Sequence, residues 1–315
     1  MTRVAVLDDY QERAHELADW SLLGPAVEVT YFHRPMAEEE LALALSDFEI
    51  LVLMRERTAF PRRILDRLPN LRLLVTTGMA NRSVDMACLR DRGVVMSGTQ
   101  GGGASTIEVT WALILSVLKR VTIEDRAMRE GSWQLALPAD LYDTTLGLAG
   151  LGRLGSAMVP VAKAFEMEVI AWSEHLTEER ASQVGARLVS KEELLRQSDV
   201  LSIHLVLSDR TRGLFGAADL ARMKPTAVLV NTSRGPIVDE AALVNALKSG
   251  RIAAAGLDVF DREPIPPDHP LLSLENTVLT PHLGYVTERG FRAMYGQAVE
   301  DIAAFLRGTP VRVIE

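Results

Sequence analysis

Cysteine is nearly absent. Cys88 is the only one in 315 residues, which excludes an intrachain disulfide and a thiolate metal centre and fits a reducing, cytoplasmic compartment. No metal site is expected, and Cys88 itself reads as a small core residue. A basic excess is missing too: 34 Lys and Arg face 42 Asp and Glu, a net charge of −8. Without a basic field, neither nucleic acid nor an anionic membrane surface is an expected partner, although one local arginine is enough to bind a small anion. Long apolar runs are lacking as well. The longest helical one, Val109 to Leu118, is about half the ~20 residues that a bilayer span needs. The amino terminus leads directly into Val4-Ala5-Val6-Leu7, with no secretory-type stretch to address the chain for export. Internal repeats and low-complexity tracts are not found either.

What is present is the composition of an ordinary globular protein, 48% apolar and 24% charged. The length exceeds one typical domain and favours two, with a single large barrel as the alternative. Runs of Val, Leu and Ile recur at Val4–Leu7, Val27–Tyr31, Ile50–Leu53, Leu71–Thr76 and Val94–Met96, with helix-like stretches such as Met36–Ser46 and Ser83–Arg92 between them. That alternation predicts a parallel α/β unit. A second set follows at Thr145–Ala149, Val169–Trp172, Val200–His204, Ala227–Asn231, Ala253–Leu257 and Thr277–Thr280. The glycine-rich stretch Gly98–Gly103 lies between the sets and marks a boundary. Ala104 to Val121 is apolar on most of its circumference, which predicts a helix buried on several sides, within one subunit or against a dimer partner. Glu288 to Arg307 carries Phe291, Tyr295, Ala298, Ile302 and Phe305 on one stripe, so a final helix packs either on the second domain or back on the first.

Thr145 to Ser156 is a short strand leading into Gly150-Leu151-Gly152-Arg153-Leu154-Gly155 and then a helix pattern. Gly150 permits a tight turn, Gly152 lets backbone approach a pyrophosphate, and Gly155 lets helix and strand close up. The helix amino terminus then presents its positive dipole end to the phosphates. At the tip of the next strand, Ser173 stands where an acidic residue binds the ribose of NAD, with Glu174 beside it. Serine tolerates a hydroxyl or a phosphate, whereas Glu174 repels the 2′-phosphate of NADP unless Arg180 offsets it. The expected cofactor is NAD(H), with NADP left open.

Three later strand ends carry polar residues: Asn231-Thr232-Ser233-Arg234-Gly235, then Asp258-Val259-Phe260-Asp261-Arg262-Glu263-Pro264, then Thr280-Pro281-His282-Leu283-Gly284-Tyr285. In order, spacing and residue type these resemble the D-isomer-specific 2-hydroxyacid dehydrogenase family, over essentially the whole chain. The resemblance implies two doubly wound parallel-sheet domains, a Rossmann cofactor domain inserted into a flavodoxin-like substrate domain. The corresponding division is 1–97 for the substrate domain, 98–285 for the cofactor domain, and 286–315 returning to the first. It implies hydride transfer between NAD(P)(H) and C2 of a small D-2-hydroxy or 2-keto acid. Histidine titrates near neutrality and suits the proton step, so His282 is the expected acid and base. A carboxylate on the far ring nitrogen fixes the tautomer, the role expected of Glu263. A guanidinium clamps a carboxylate through paired hydrogen bonds, the role expected of Arg234.

By the same resemblance Asp258 contacts the nicotinamide carboxamide, with Thr232, Ser233, Gly284 and Tyr285 around the ring and Arg153 and Leu154 on the pyrophosphate. In the first domain Gly78-Met79-Ala80 resembles a loop whose N–H groups hold the substrate carboxylate, and Arg55 an arginine facing it. The chain departs from its relatives at Asn81–Asp85, NRSVD where many carry DNID, and at Ser173, where NAD-specific relatives usually carry Asp. A homodimer through the Ala104–Val121 helix is implied too. Within the family, 3-phosphoglycerate dehydrogenase and glyoxylate or hydroxypyruvate reductase are the narrower alternatives. No product-sensing domain is expected after residue 315, and Glu263 in place of a glutamine disfavours a formate dehydrogenase. From another class, a dinucleotide-sensing corepressor-like protein shares the fold.

Overall fold

In a computed structural model, which describes residues 1–101 and 104–315, the chain divides into two compact units, Met1–Gly102 with Val286–Glu315, and Gly103–Tyr285. The first unit holds β1 Thr2–Val6, β2 Val27–Tyr31, β3 Ile50–Leu53, β4 Leu73–Thr76 and β5 Val95–Gly98. β3 and β4 are buried along their whole length, as parallel strands are when helices cover both faces. All pairings are parallel and the order is β2-β1-β3-β4-β5, the flavodoxin-like winding.

The helix Glu288–Leu306 belongs to this unit, which resolves the two placements its sequence allows. Phe291, Tyr295, Ala298 and Ile302 are buried, and the Tyr295 ring lies about 6 Å from those of Trp20 and Phe291. β5 continues through Gly98, whose N–H donates to the Arg312 carbonyl at 3.0 Å. The first unit therefore runs past residue 97, because Gly98 is the last residue of β5 and is hydrogen-bonded within that unit. Gly102 and Gly103, the last glycines of the Gly98–Gly103 stretch, lie outside the described residues.

The second unit holds β6 Thr145–Ala149, β7 Glu168–Trp172, β8 Arg187–Leu188, β9 Val200–Ile203, β10 Val228–Asn231, β11 Ala254–Leu257 and β12 Thr277–Leu279. They form one parallel sheet ordered β12-β11-β10-β9-β6-β7-β8. The winding reverses between β6 and β9, and ligands of open α/β sheets bind beyond the strand ends at such a point. Only two residues long, β8 is too short to leave an apolar run in the sequence.

The helix expected over Ala104–Val121 ends at Leu118; Arg120 turns left-handed (φ 55°) and a second helix runs Val121–Arg129. Trp111, Leu113, Ile114 and Val117 are buried, whereas Val121 is 51% exposed. Gly256 lets this helix press onto β11, since a Cβ there would meet Leu113 Cβ at 3.0 Å.

Candidate active site

The glycine loop follows β6. Gly150 adopts φ +99°, its N–H donates to the Trp172 carbonyl at 2.8 Å, and a Cβ on it would lie 2.6 Å from the His204 carbonyl oxygen. A Cβ on Gly155 would run into the Gly150 carbonyl, but one on Gly152 would meet nothing within 4 Å. Gly150 and Gly155 are thus glycines for the fold, and Gly152 is one for a guest. Gly152 is the N-cap of the helix Arg153–Ala164 and supplies no side-chain cap, so the first-turn N–H groups, with those of Arg153 and Leu154, face an open cradle. These residues fit a dinucleotide pyrophosphate.

Ser173 follows β7 and opens a turn closed by the Leu176 N–H at 3.1 Å. Arg210, from the segment after β9, reaches this tip: its Nη1 lies 3.4 Å from Glu174 Oε2 and 3.5 Å from His175 Nε2. Arg180, by contrast, lies in the first turn of the helix Glu178–Gln183, where its backbone N–H donates to the N-cap Thr177 Oγ1, and its side chain forms no ion pair among the described residues. The cation beside the tip is therefore Arg210, already engaged by Glu174. Glu174→Gln should remove the repulsion and release Arg210 toward a 2′-phosphate. The NADPH-to-NADH ratio of kcat/KM is expected to rise at least ~10-fold, about 1.4 kcal/mol; an unchanged ratio would mean that Glu174 does not discriminate.

Arg234, Glu263 and His282 follow β10, β11 and β12, three adjacent strands. Glu263 Oε2 lies 2.6 Å from His282 Nδ1, while its Oε1 accepts the Phe260 N–H at 2.9 Å. A carboxylate only accepts, so Nδ1 carries the proton. His282 Nε2 has no hydrogen-bond partner among the described residues, and its side chain is 24% exposed. The turn bearing His282 (φ 54°) hangs on Asp258, whose buried carboxylate accepts from Thr280 Oγ1 at 2.5 Å, the Leu283 N–H at 2.7 Å and the Gly284 N–H at 2.8 Å. Burial pushes the Asp258 carboxyl up, and these bonds oppose the shift.

Arg234 is shaped from behind. Asn231 accepts the Ser233 N–H and donates to the Arg234 carbonyl, both at 3.0 Å, and Arg234 Nη1 donates to the Ser233 carbonyl at 2.7 Å. Ser233 Oγ donates to the Ile203 carbonyl and Thr232 Oγ1 pairs with Thr110, so both hydroxyls already bind protein. Gly284 O accepts from Ser105 and Thr106 at 2.8 and 2.6 Å. The Tyr285 ring stands edge-on to His282, 5.3 Å between centroids.

In the first unit Arg55 (φ 56°) follows β3, and Gly78, Met79 and Ala80 follow the neighbouring β4. Arg55 Nη1 donates to the Thr77 carbonyl at 3.1 Å, and no room remains between Gly78 and that guanidinium for a Cβ. Asn81 bridges the two loops through Nδ2, to the Arg55 carbonyl at 2.6 Å and Thr76 Oγ1 at 3.0 Å.

The sequence marks Asn231 only as part of its motif, without this bracing role, and gives no role to Thr106, Thr110 or His204. Thr106 and Thr110, spaced i,i+4 on one face of a mostly apolar helix, are the available signal for that helix. His204 gave none beyond its place at a strand end. Its Nε2 lies 2.9 Å from Ser202 Oγ, its Nδ1 is buried with no partner, and burial pushes its pKa down to about 4. Between the ordinary value near 6.5 and about 4 the unfolded chain binds a proton that the folded chain does not. Stability from this group is thus full above ~6.5 and is lost as pH falls toward 4, on the order of 1–3 kcal/mol. Thermal unfolding followed from pH 7 to pH 4.5 should therefore decline less steeply in His204→Asn; parallel curves would remove His204 as the cause.

The profile of the D-isomer specific 2-hydroxyacid dehydrogenase NAD binding domain matches residues 111–284. The chain is 42% identical to a glyoxylate reductase of Aeropyrum pernix over 255 residues, 78% of this chain and 76% of that one. Among solved structures it resembles a phosphoglycerate oxidoreductase from Vibrio cholerae (TM-score 0.93, 33% identity, 98% of this chain and 100% of that one). A D-lactate dehydrogenase from Aquifex aeolicus complexed with NAD and lactic acid is similar as well (TM-score 0.78, 26% identity, 97% and 96%). With the glycine cradle at the sheet's reversal and the matching profile, the chain belongs to the D-isomer-specific 2-hydroxyacid dehydrogenase family and is an NAD-dependent oxidoreductase.

Proposed function

We propose that the chain interconverts a small D-2-hydroxy acid and its 2-keto acid, with His282 as general acid and base, Glu263 orienting it and Arg234 binding the substrate carboxylate. The 2.6 Å Glu263–His282 contact, with Nε2 on the far side of the ring unpartnered among the described residues, carries the reading. When bound, NAD(H) supplies or takes the hydride at C2. In the reducing direction His282 gives its Nε2 proton to the oxygen at C2, and Glu263 stabilises the imidazolium beforehand. In the oxidising direction the same nitrogen takes the hydroxyl proton. Arg234 offers a planar fork to the carboxylate and polarises the adjacent carbonyl. In the first unit, Arg55 and the N–H groups of Met79 and Ala80 are proposed to bind the acid; the Gly78 N–H of the same loop is held by the Thr76 carbonyl at 2.9 Å.

Glyoxylate, hydroxypyruvate, pyruvate and 3-phosphohydroxypyruvate, tested with NADH by its absorbance, should include at least one reduced with turnover. Tight NADH binding with no turnover on any would overturn the enzymatic reading and favour a nucleotide sensor.

The proposal includes a homodimer in the cytoplasm. Support for the dimer comes from one segment that exposes several large apolar side chains: Val121, Met128, Trp133, Leu135, Leu137 and Tyr142 are 51 to 99% exposed, and clustered exposure of this kind marks interaction surfaces. The helix Ala104–Leu118 is covered largely within its own unit, so this following segment is the surface proposed for the partner. No helix among the described residues is long and apolar enough to cross a membrane.

A further inference from the structure

Behind the proposed site stands a second carboxylate–imidazole pair that the chemistry above does not use. Glu240 begins the helix Glu240–Lys248, immediately after its N-cap Asp239. Its Oε1 lies 2.9 Å from His269 Nε2, and its Oε2 accepts the Asp261 N–H at 3.2 Å. The other ring nitrogen, His269 Nδ1, accepts the Leu271 N–H at 3.3 Å. A ring nitrogen that accepts carries no proton, so His269 is neutral in this arrangement and donates Nε2–H to Glu240. Both side chains are mostly covered, 15% and 21% exposed, unlike the exposed ion pairs that contribute little to order.

The pair grips the segment that aims Glu263. Phe260, next to Asp261, donates its N–H to Glu263 Oε1, and the other oxygen of Glu263 holds His282. The Phe260 backbone also presses on Gly235, leaving no space there for a Cβ. Glu240 thus ties the helix after the Arg234 turn to the peptide ahead of Glu263, and His269 fixes Glu240. The nearby Asp261 carboxyl is pushed up, first by burial and then by the Glu240 charge.

We infer that Glu240 and His269 are positioning residues for the catalytic pair: they hold the Asp261 peptide and so keep the Glu263 carboxylate against His282. This inference rests on the acid–base role proposed for His282. Glu240→Gln leaves one acceptor for two donors, and His269→Ala removes the donor to Glu240. His269→Gln restores an Nε2–H donor and serves as the conservative rescue.

In Glu240→Gln and His269→Ala, kcat for keto-acid reduction should fall at least ~10-fold with KM for NADH within about twofold, because the cofactor cradle is untouched. The alkaline limb of the pH–rate profile should move down by about half a unit or more, since an imidazolium that loses its carboxylate gives up its proton more readily. His269→Gln should recover most of both. Ring signals of the six histidines, followed by NMR against pH and assigned for His282 by its disappearance in His282→Asn, supply a readout independent of turnover. His282 is expected to titrate at lower pH in Glu240→Gln than in the unmodified enzyme. An unmoved His282 titration, with any loss confined to thermal stability, would overturn the inference. Undiminished turnover in His282→Ala would overturn instead the role assigned to His282, and the NMR comparison would still report whether Glu240 governs that ring.

Discussion

Replacing His282 with alanine is expected to lower kcat by ~10²–10⁴-fold while leaving NADH affinity within about twofold. The size follows from what is lost. Carbonyl reduction without a proton donor must end on an alkoxide, and His282 Nε2 is the ring nitrogen left for that proton once Nδ1 faces Glu263 at 2.6 Å. Loss of the ring removes the donor and the charge that Glu263 has been placed to stabilise. A residual rate is expected because the ring is 24% exposed and water can enter the vacated space. Glu263→Gln separates the two contributions. A glutamine oxygen can still accept from Nδ1 and keep the ring oriented, but the stabilising charge is gone, so a smaller fall and an alkaline limb moved to lower pH are expected. Single-turnover rates measured with a keto acid found in the substrate panel give the test. Wild-type turnover in His282→Ala would end the assignment of this residue as acid and base.

The strand ends that bear these residues are legible in the sequence because short Val, Leu and Ile runs buried on both faces leave a plain signal. β3 and β6 are such strands and coincide with the runs at Ile50–Leu53 and Thr145–Ala149, and the half-buried β2 coincides with Val27–Tyr31. Adjacency is another matter. Nothing along the chain shows that β10, β11 and β12 lie side by side, which is what brings Glu263 to His282. Nor does residue type show which polar groups are already occupied. Thr232 and Ser233 are expected on the cofactor face, yet their hydroxyls bond to Thr110 and the Ile203 carbonyl. The break at Arg120 left no mark because a left-handed residue there is neither Gly nor Asn, the types that advertise it. Glu240 and His269 escaped notice for the same reason as the sheet order, since each looks solvated until its partner from a distant segment is seen.

The glycine loop allows the second large effect to be separated from folding. Gly152→Ala should weaken NADH binding by ~10–100-fold, about 1.4–2.7 kcal/mol, with no loss of thermal stability. A Cβ at Gly152 meets no protein atom within 4 Å, and its φ of −78° is open to any residue. The methyl group therefore costs the protein nothing and fills the space that a pyrophosphate needs. Gly155→Ala should act in the opposite way. Its Cβ would run into the Gly150 carbonyl, and relief requires the helix Arg153–Ala164 to withdraw or the left-handed turn at Gly150 to move. Overpacking of this kind costs about 1–3 kcal/mol, which lowers the melting temperature of a unit this size by several degrees and disturbs the cradle as well. Calorimetric titration with NADH beside thermal unfolding distinguishes the two variants. A stable Gly152→Ala protein that binds NADH as tightly as the parent would remove this loop as the pyrophosphate site. Equal stability of Gly155→Ala and parent would show that helix and strand have room to spare. The two glycines, three residues apart, thus answer to different constraints, one set by the fold and one by the ligand.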